Sequence, residues 1–474
     1  MRFGRVVSRL ASSHLNHRGR GRVVSRLASS HLNHPGVAAG EKQRRSRGRA
    51  TYVPRVTSEL APPAALTRRG VPVDPTLRIL SLGTLVNRAS GGAVFTTFAL
   101  YFTRHVGLEP AQVGLALSVS AAAGAVAQVP GGQWGDVRGP REVMRDLTVV
   151  TGVATACLAV ARSFGALLVV ITVLGAAQMA GNAVRNGYIA RIAPGGSGVR
   201  FKAYLRAVTN VAMTFGALLG GIALWIDRPW AYVTVFLLDG ATSVFTGLLF
   251  QRLPHLPGVP ARGEGEPRLG VVRDLPYVAV TLLTGVLFMH FVVLEIGIPL
   301  WISEHTSAPT ALVAILLGLN TIAVAVFQVR LSRGAEGVTS GARAVARGGV
   351  LIAASFVLVG LTDGAARDVT IAVLFLYGCV HVVGEMVSSS GQWGVSMGLA
   401  PVERQGQYQG FAGLAFSLSR VAAPTLITTL CIGWGRPGWF VLAGLILAAS
   451  LLMRPVAAWG LATRERYGAA TATG

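Results

Sequence analysis

Charge is scarce in this chain. Charged residues make up 13% of its 474 positions, about half the ~25% usual for soluble domains. That shortage, beside 52% hydrophobic residues and a mean hydropathy of +0.54, excludes an ordinary water-soluble enzyme. It also excludes disorder outside a tail, because disordered chains are poor in apolar residues. Cysteine is nearly missing. Cys157, Cys379 and Cys431 all fall in apolar runs, too few for a disulfide framework, and they read as small hydrophobes. Lysine is almost absent too: only Lys42 and Lys202 stand among the 43 basic residues. Neither follows a glycine, so no Gly-Lys-Ser/Thr phosphate loop exists and the chain does not power itself with ATP. No nucleophile elbow and no His-Glu-x-x-His metal motif are read. The excess of arginine over lysine points to a GC-rich bacterial source.

The net charge is +23, and more than half of it lies in the first 75 residues. That arm carries an identical 14-residue segment twice, at 4–17 and 21–34. The segment is too short for a solenoid repeat and lacks the apolar stretch of a secretory signal. The arm is expected to be disordered; a basic segment held by anionic lipid is the next reading. Nucleic-acid binding is not expected, because no aromatics interleave the arginines. Duplication, not metal binding, accounts for His14, His17, His31 and His34.

From Thr76 onward, apolar runs alternate with short polar breaks. A membrane-spanning helix needs about 20 apolar residues. Spans are expected near 77–103, 111–133, 145–163, 165–187, 204–226, 231–252, 277–302, 310–329, 346–363, 369–390, 409–433 and 437–455. Backbone groups in lipid must bond within the segment, so these are helices. The alternation of a membrane β-barrel is missing. With the amino terminus placed inside, nineteen basic residues flank the inner ends and five the outer loops (Arg104, Arg162, Arg228, Arg367 and Arg436). This asymmetry predicts both termini in the cytoplasm of a bacterial inner membrane.

The expected organisation is an arm at 1–75, a six-helix bundle at 76–252, a Pro- and Gly-rich linker at 253–276, a second six-helix bundle at 277–456 and a tail at 457–474. The halves carry traces of duplication. Gln133, Arg138 and Gly139 recur 195 positions later as Gln328, Arg333 and Gly334, and Asp136 becomes Leu331. Repeated halves around a midplane site are a common transporter design.

The break after the second span reads Gly132-Gln-Trp-Gly-Asp136-Val-Arg-Gly139-Pro-Arg141. It resembles the G-x-x-x-D-x-x-G-x-R signature of the major facilitator superfamily. That resemblance implies an all-α fold of twelve transmembrane helices in two bundles. It also implies that Gly132, Asp136, Gly139 and Arg141 latch the halves on the cytoplasmic side. Gly216-Ala-Leu-Leu-Gly220-Gly221 resembles the family's antiporter signature, with Ala217 in place of proline; its glycines suit close helix packing. The segments Leu85–Arg88, Arg185–Ala190 and Gln405–Gly410 are similar to bacterial drug-efflux members of the same superfamily.

Ionisable groups are costly in lipid, about 2.5–3.5 kcal/mol each on insertion scales, so those retained mark candidate sites. Glu295 and Glu385 are the leading proton carriers. His290, His381 and Asp239 are further coupling candidates, and His381 and Glu385 share one helix face. Asn87, Arg88, Asn320 and Arg420 are candidate cavity residues, the arginines as counter-charges or contacts for an anionic group. Arg185 is read as able to snorkel to the interface. A His–Glu pair alone makes no zinc site, so neither metal nor cofactor is expected. The expected activity is proton-coupled export of small amphipathic molecules by a monomer. Import of a sugar or organic anion is the alternative, and a non-transporting receptor a more distant one. The expected partners are a small-molecule substrate, protons and the bilayer.

Overall fold

In the computed structural model, residues 72–194, 196–259 and 269–467 are described. The basic arm with its repeat, the middle of the linker and the last seven residues lie outside them. The described residues form twelve long helices. They are α1 (Pro75–Leu100), α2 (Pro110–Arg138), α3 (Pro140–Cys157), α4 (Phe164–Ile192), α5 (Gly196–Ile226) and α6 (Pro229–Leu249). After the linker come α7 (Leu275–His305), α8 (Ala311–Leu331), α9 (Val338–Gly360), α10 (Arg367–Leu399), α11 (Gln405–Ile427) and α12 (Arg436–Ala462). Ten of them are long and apolar enough to cross a bilayer by length and composition. The other two are more polar. α1 carries Arg78, Asn87 and Arg88, and the first two turns of α3 hold Arg141, Glu142, Arg145 and Asp146.

The helix starts follow local chemistry. Proline stands in the first turn of α1, α2, α3, α6, α7 and α12, where its fixed φ fits and its missing N–H costs nothing. The Asp74 carboxylate accepts from Thr76 N at 2.7 Å, and the Asp274 carboxylate from Tyr277 N at 3.2 Å, each satisfying a donor the helix leaves unpaired. Asp227 makes the tight α5–α6 turn at φ 44°. There the Tyr232 hydroxyl donates to its carboxylate at 2.6 Å and holds it below the usual carboxylate range.

Several helices outrun their expected spans. α5 begins at Gly196, not 204, α9 begins at Val338, not 346, and α10 continues to Leu399, not 390. A charged residue ends an apolar window without ending the helix, since arginine and lysine are good helix formers. α3 lies further toward the start than expected, from Pro140 to Cys157. α12 runs on to Ala462, and beyond it Arg464 is buried against Asp274 at 2.7 Å. The Tyr408 hydroxyl donates to the same carboxylate at 3.1 Å. One buried cluster thus ties the start of α7, the start of α11 and the end of α12.

Packing repeats between the halves. In the first, α1 packs on α5, α2 on α4, and α3 on α4 and α6; in the second, α7 packs on α11, α8 on α10, and α9 on α10 and α12. Gly216 and Gly220 serve the first of these contacts. A Cβ on Gly216 would lie 2.0 Å from the Ala89 carbonyl oxygen, and one on Gly220 1.9 Å from Thr96 Oγ1; Gly221 faces open space. The halves meet through α2 and α4 against α11, and through α5 against α8 and α10.

Candidate functional site

The side on which α1 begins and α12 ends is here called the proximal face. At this face the halves interlock through backbone. Gly132 on α2 and Gly187 on α4 close on Gly406 of α11, and a Cβ on Gly132 would lie 2.0 Å from the Gly406 carbonyl oxygen. The Asp136 side chain crosses the same junction. Its two oxygens accept from Gly406 N and Gln407 N, both at 2.8 Å. A carboxylate from one half thereby caps a helix of the other, where unpaired N–H groups and the helix dipole favour negative charge. Gly139 follows at φ 111°, a conformation that glycine tolerates. Arg141 departs from the expected latch. It does not cross to the second half, donating to the Leu253 carbonyl at the start of the linker at 3.1 Å and pairing with Glu142 at 2.6 Å.

The second junction is ionic. Arg206 on α5 pairs with Glu385 on α10, and its other terminal nitrogen donates to Ser389 Oγ at 2.7 Å. Asn320 on α8 donates to the second Glu385 oxygen at 2.7 Å. The Glu385 side chain is 2% exposed. The guanidinium also lies over the Phe291 ring, 5.2 Å from its centroid. His381 is one turn from Glu385, with Nδ1 3.9 Å from the carboxylate, and the ring of His290 on α7 is 5.2 Å from that of His381. Both histidines are buried. Nearer the proximal face, Arg200 pairs with Glu336 across the halves at 3.2 Å.

The expected site residues therefore separate into three groups. Glu385, Asn320, His290 and His381 come together. Glu295 pairs with Arg420 instead, on α7 and α11 of one bundle, with both side chains 46% exposed. Asp239, Asn87 and Arg88 stay inside the first bundle. There Asp239 accepts from Ser90 Oγ at 2.6 Å, Asn87 donates to Ser243 Oγ at 2.7 Å, and Arg88 donates to Asn182 Oδ1 at 3.4 Å. Arg185 shares that Asn182 oxygen at 3.4 Å. It is directed into the bundle and does not reach for the interface.

Arg206 is the principal residue missing from the candidates read from sequence, where it was one of the nineteen basic residues assigned to the inner ends. The available signal was its position inside an unbroken apolar helix with no proline between Gly196 and Ile226. The reading also missed a chamber of about 180 Å³ between the halves. Asn186, Lys202, Gln392, Trp393, Gln409 and Phe416 are among its lining residues. Gln392 and Gln409 are buried, and Gln392 Oε1 and Gln409 Nε2 have no protein partner. One further correction concerns Gly394-Val-Ser396-Met-Gly398, which does spell Gly-x-Ser-x-Gly. It lies within the continuous helix α10 and lacks the strand-to-helix turn that makes such a serine a nucleophile.

A family model of the Major Facilitator Superfamily matches residues 80–424. The chain belongs to this superfamily. A protein of Deinococcus radiodurans named "Putative sugar efflux transporter" is 30% identical over 200 residues, a match covering 40% of this chain and 48% of that protein. The chain thus matches about half the length of that relative. Among solved structures, a bacterial homologue of the iron transporter ferroportin, in its outward-facing state, is similar with a TM-score of 0.64. It is 15% identical, and the match covers 82% of this chain and all of the other. The human organic anion transporter MFSD10 gives 0.60 at 16% identity, covering 80% and 98%. These likenesses show the fold. The chain is a multi-pass membrane protein of this family.

Proposed function

We propose that this transporter exports a small hydroxylated solute in exchange for protons by alternating access, with Glu385 as the coupling group. The observation that carries the reading is the Arg206–Glu385 pair between the halves. A buried carboxylate and a partly buried guanidinium hold each other only while both are charged, and removing one charge leaves the other uncompensated. Protonation of Glu385 from the distal side releases Arg206 and frees α5 from α10. The halves then part at the proximal face, whose arginines support reading it as the cytoplasmic one. Loss of the proton to the cytoplasm restores the carboxylate, and Arg206 returns to it. One proton moves inward as the bundles rock, and the solute leaves in the opposite direction. Glu295 is the weaker candidate, because its partner Arg420 lies in its own bundle and moves with it.

The chamber supports the substrate class. An unpaired amide oxygen and an unpaired amide N–H, both buried, call for a ligand group that donates and accepts. A hydroxyl does both, and the Trp393 and Phe416 rings suit the apolar face of the same molecule. The volume of about 180 Å³ is below the roughly 300–1,000 Å³ of sites for drug-sized ligands. It suits a solute of monosaccharide size, narrower than the drug-like range expected from sequence. The similarity to a protein named for sugar efflux agrees with this.

The test is efflux of labelled monosaccharides from proteoliposomes under an imposed pH gradient. Gradient-driven transport is expected to vanish in Glu385→Gln, while Glu295→Gln retains most of it. Full gradient-driven transport by Glu385→Gln would overturn the coupling role. Accumulation of label inside intact cells, instead of depletion, would favour import.

A further inference from the structure

The His381–Glu385 pair gains a third member in the folded chain. His290 of α7, His381 and Glu385 each offer a ligand atom, and these atoms lie within 4.8 Å of one another. All three residues are at most 1% exposed. Neither His290 nitrogen has a hydrogen-bond partner, and His381 Nε2 has none. Leaving a buried polar group unsatisfied costs about 1–3 kcal/mol, so a fold that retains three such nitrogens side by side needs a reason for them.

We propose that His290, His381 and Glu385 form a binding site for a divalent transition-metal ion, filled when Arg206 withdraws from Glu385. Two imidazole nitrogens and one carboxylate oxygen are a known zinc donor set, with a further position left for water or solute. Imidazole also suits iron, nickel and copper. Asn320, bonded to Glu385 at 2.7 Å, orients the carboxylate from outside the ligand set, as outer hydrogen bonds do at metal centres. At a tetrahedral centre, ligands about 2.0–2.1 Å from the metal stand ~3.4 Å apart, so the three groups, now within 4.8 Å of one another, draw closer to hold an ion.

The placement in the fold supplies the exchange. All three ligands belong to the second bundle and move together, whereas Arg206 belongs to the first. With the proximal face closed, the guanidinium occupies one carboxylate oxygen and repels a second cation at that distance. Once the bundles have parted and the proton has left, the carboxylate keeps its buried histidine neighbours without its counter-charge, and a metal ion restores the balance. Arg206 and the metal are alternative cations of one carboxylate. This rests on the proposed separation at the Arg206–Glu385 pair.

The test uses the purified full-length protein in detergent with Co²⁺ as probe, followed by visible absorption and equilibrium dialysis, with Zn²⁺ as competitor. Arg206→Gln is expected to bind one Co²⁺ per chain about tenfold more tightly than wild type. Adding either His290→Ala or His381→Ala to that variant is expected to abolish the signal. A merely structural role for the histidines would give no gain on removing an arginine. Should Arg206→Gln fail to fold, Zn²⁺ is expected to raise the unfolding temperature of wild type and not that of His290→Ala. No stoichiometric Co²⁺ in folded Arg206→Gln, or binding that survives loss of both histidines, would overturn the proposal. Because the readout is binding without any gradient, its failure leaves proton exchange standing, and failure of proton exchange leaves the metal result standing.

Discussion

The two junctions between the halves occupy related places in a repeated fold and are built from opposite chemistry. Where α2 meets α11, glycine backbones touch and Asp136 accepts two backbone N–H groups. Where α5 meets α8 and α10, the nearest equivalent of Asp136 is Leu331. An open groove of about 770 Å³ lies among α1, α5 and α8 there, and the ionic contact is displaced to Arg206 and Glu385. The first junction depends on shape and a helix terminus. The second pairs two formal charges, a buried carboxylate with a partly exposed guanidinium, and on the proposed reading it answers to a proton or to another cation. The two halves share the same helix packing, and on the proposed reading one seam is a clasp and the other a switch.

The difference can be broken first at the glycine seam. Gly132→Val places a side chain on the backbone of α11, and closure of the proximal face is expected to be lost while each bundle stays folded. The measurement is disulfide trapping between cysteines at Gln133 and Gln407, whose side chains meet at 3.4 Å; trapping should disappear. Next in size is the ionic seam. Arg206→Ala leaves Glu385 buried and uncompensated, and the closed form should lose about 3–5 kcal/mol. Arg206→Met combined with Glu385→Leu should be close to neutral for stability, since a packed apolar pair replaces a buried ion pair at little cost. Thermal unfolding of the three proteins in detergent decides this. The smallest effect is expected at the helix cap. Asp136→Ala should weaken closure by about 1–2 kcal/mol, a factor of roughly 5–30 in the closed population, read as slower trapping of the same cysteine pair.

The sequence carried most of the fold. Apolar runs of bilayer length, the polar breaks between them and the Gly132–Arg141 signature sufficed for twelve helices in two halves, because these signals are local. Helix ends were less legible, since hydropathy marks the lipid boundary and helices such as α5 and α10 continue past it. The site was legible only in part. Glu385, Asn320, His290 and His381 stood out as polar groups in apolar segments. Their assembly could not be read, because α7, α8 and α10 meet only in the folded chain. Arg206 looked like a boundary charge, and its partner is 179 residues away. Arg464 and Asp274 were read as tail and linker for the same reason. The pair His381 and Glu385 gains His290 as a third neighbour only once α7 packs beside α10.

The most direct measurement is the distance between spin labels at the proximal ends of α5 and α10, recorded by pulsed electron resonance as the pH is lowered. Protonation of Glu385 is the proposed release, so the wild-type distance should lengthen on acidification, and Glu385→Gln should show the long distance at every pH. A short distance in Glu385→Gln that still lengthens with acid would contradict the assignment of the switch to this carboxylate.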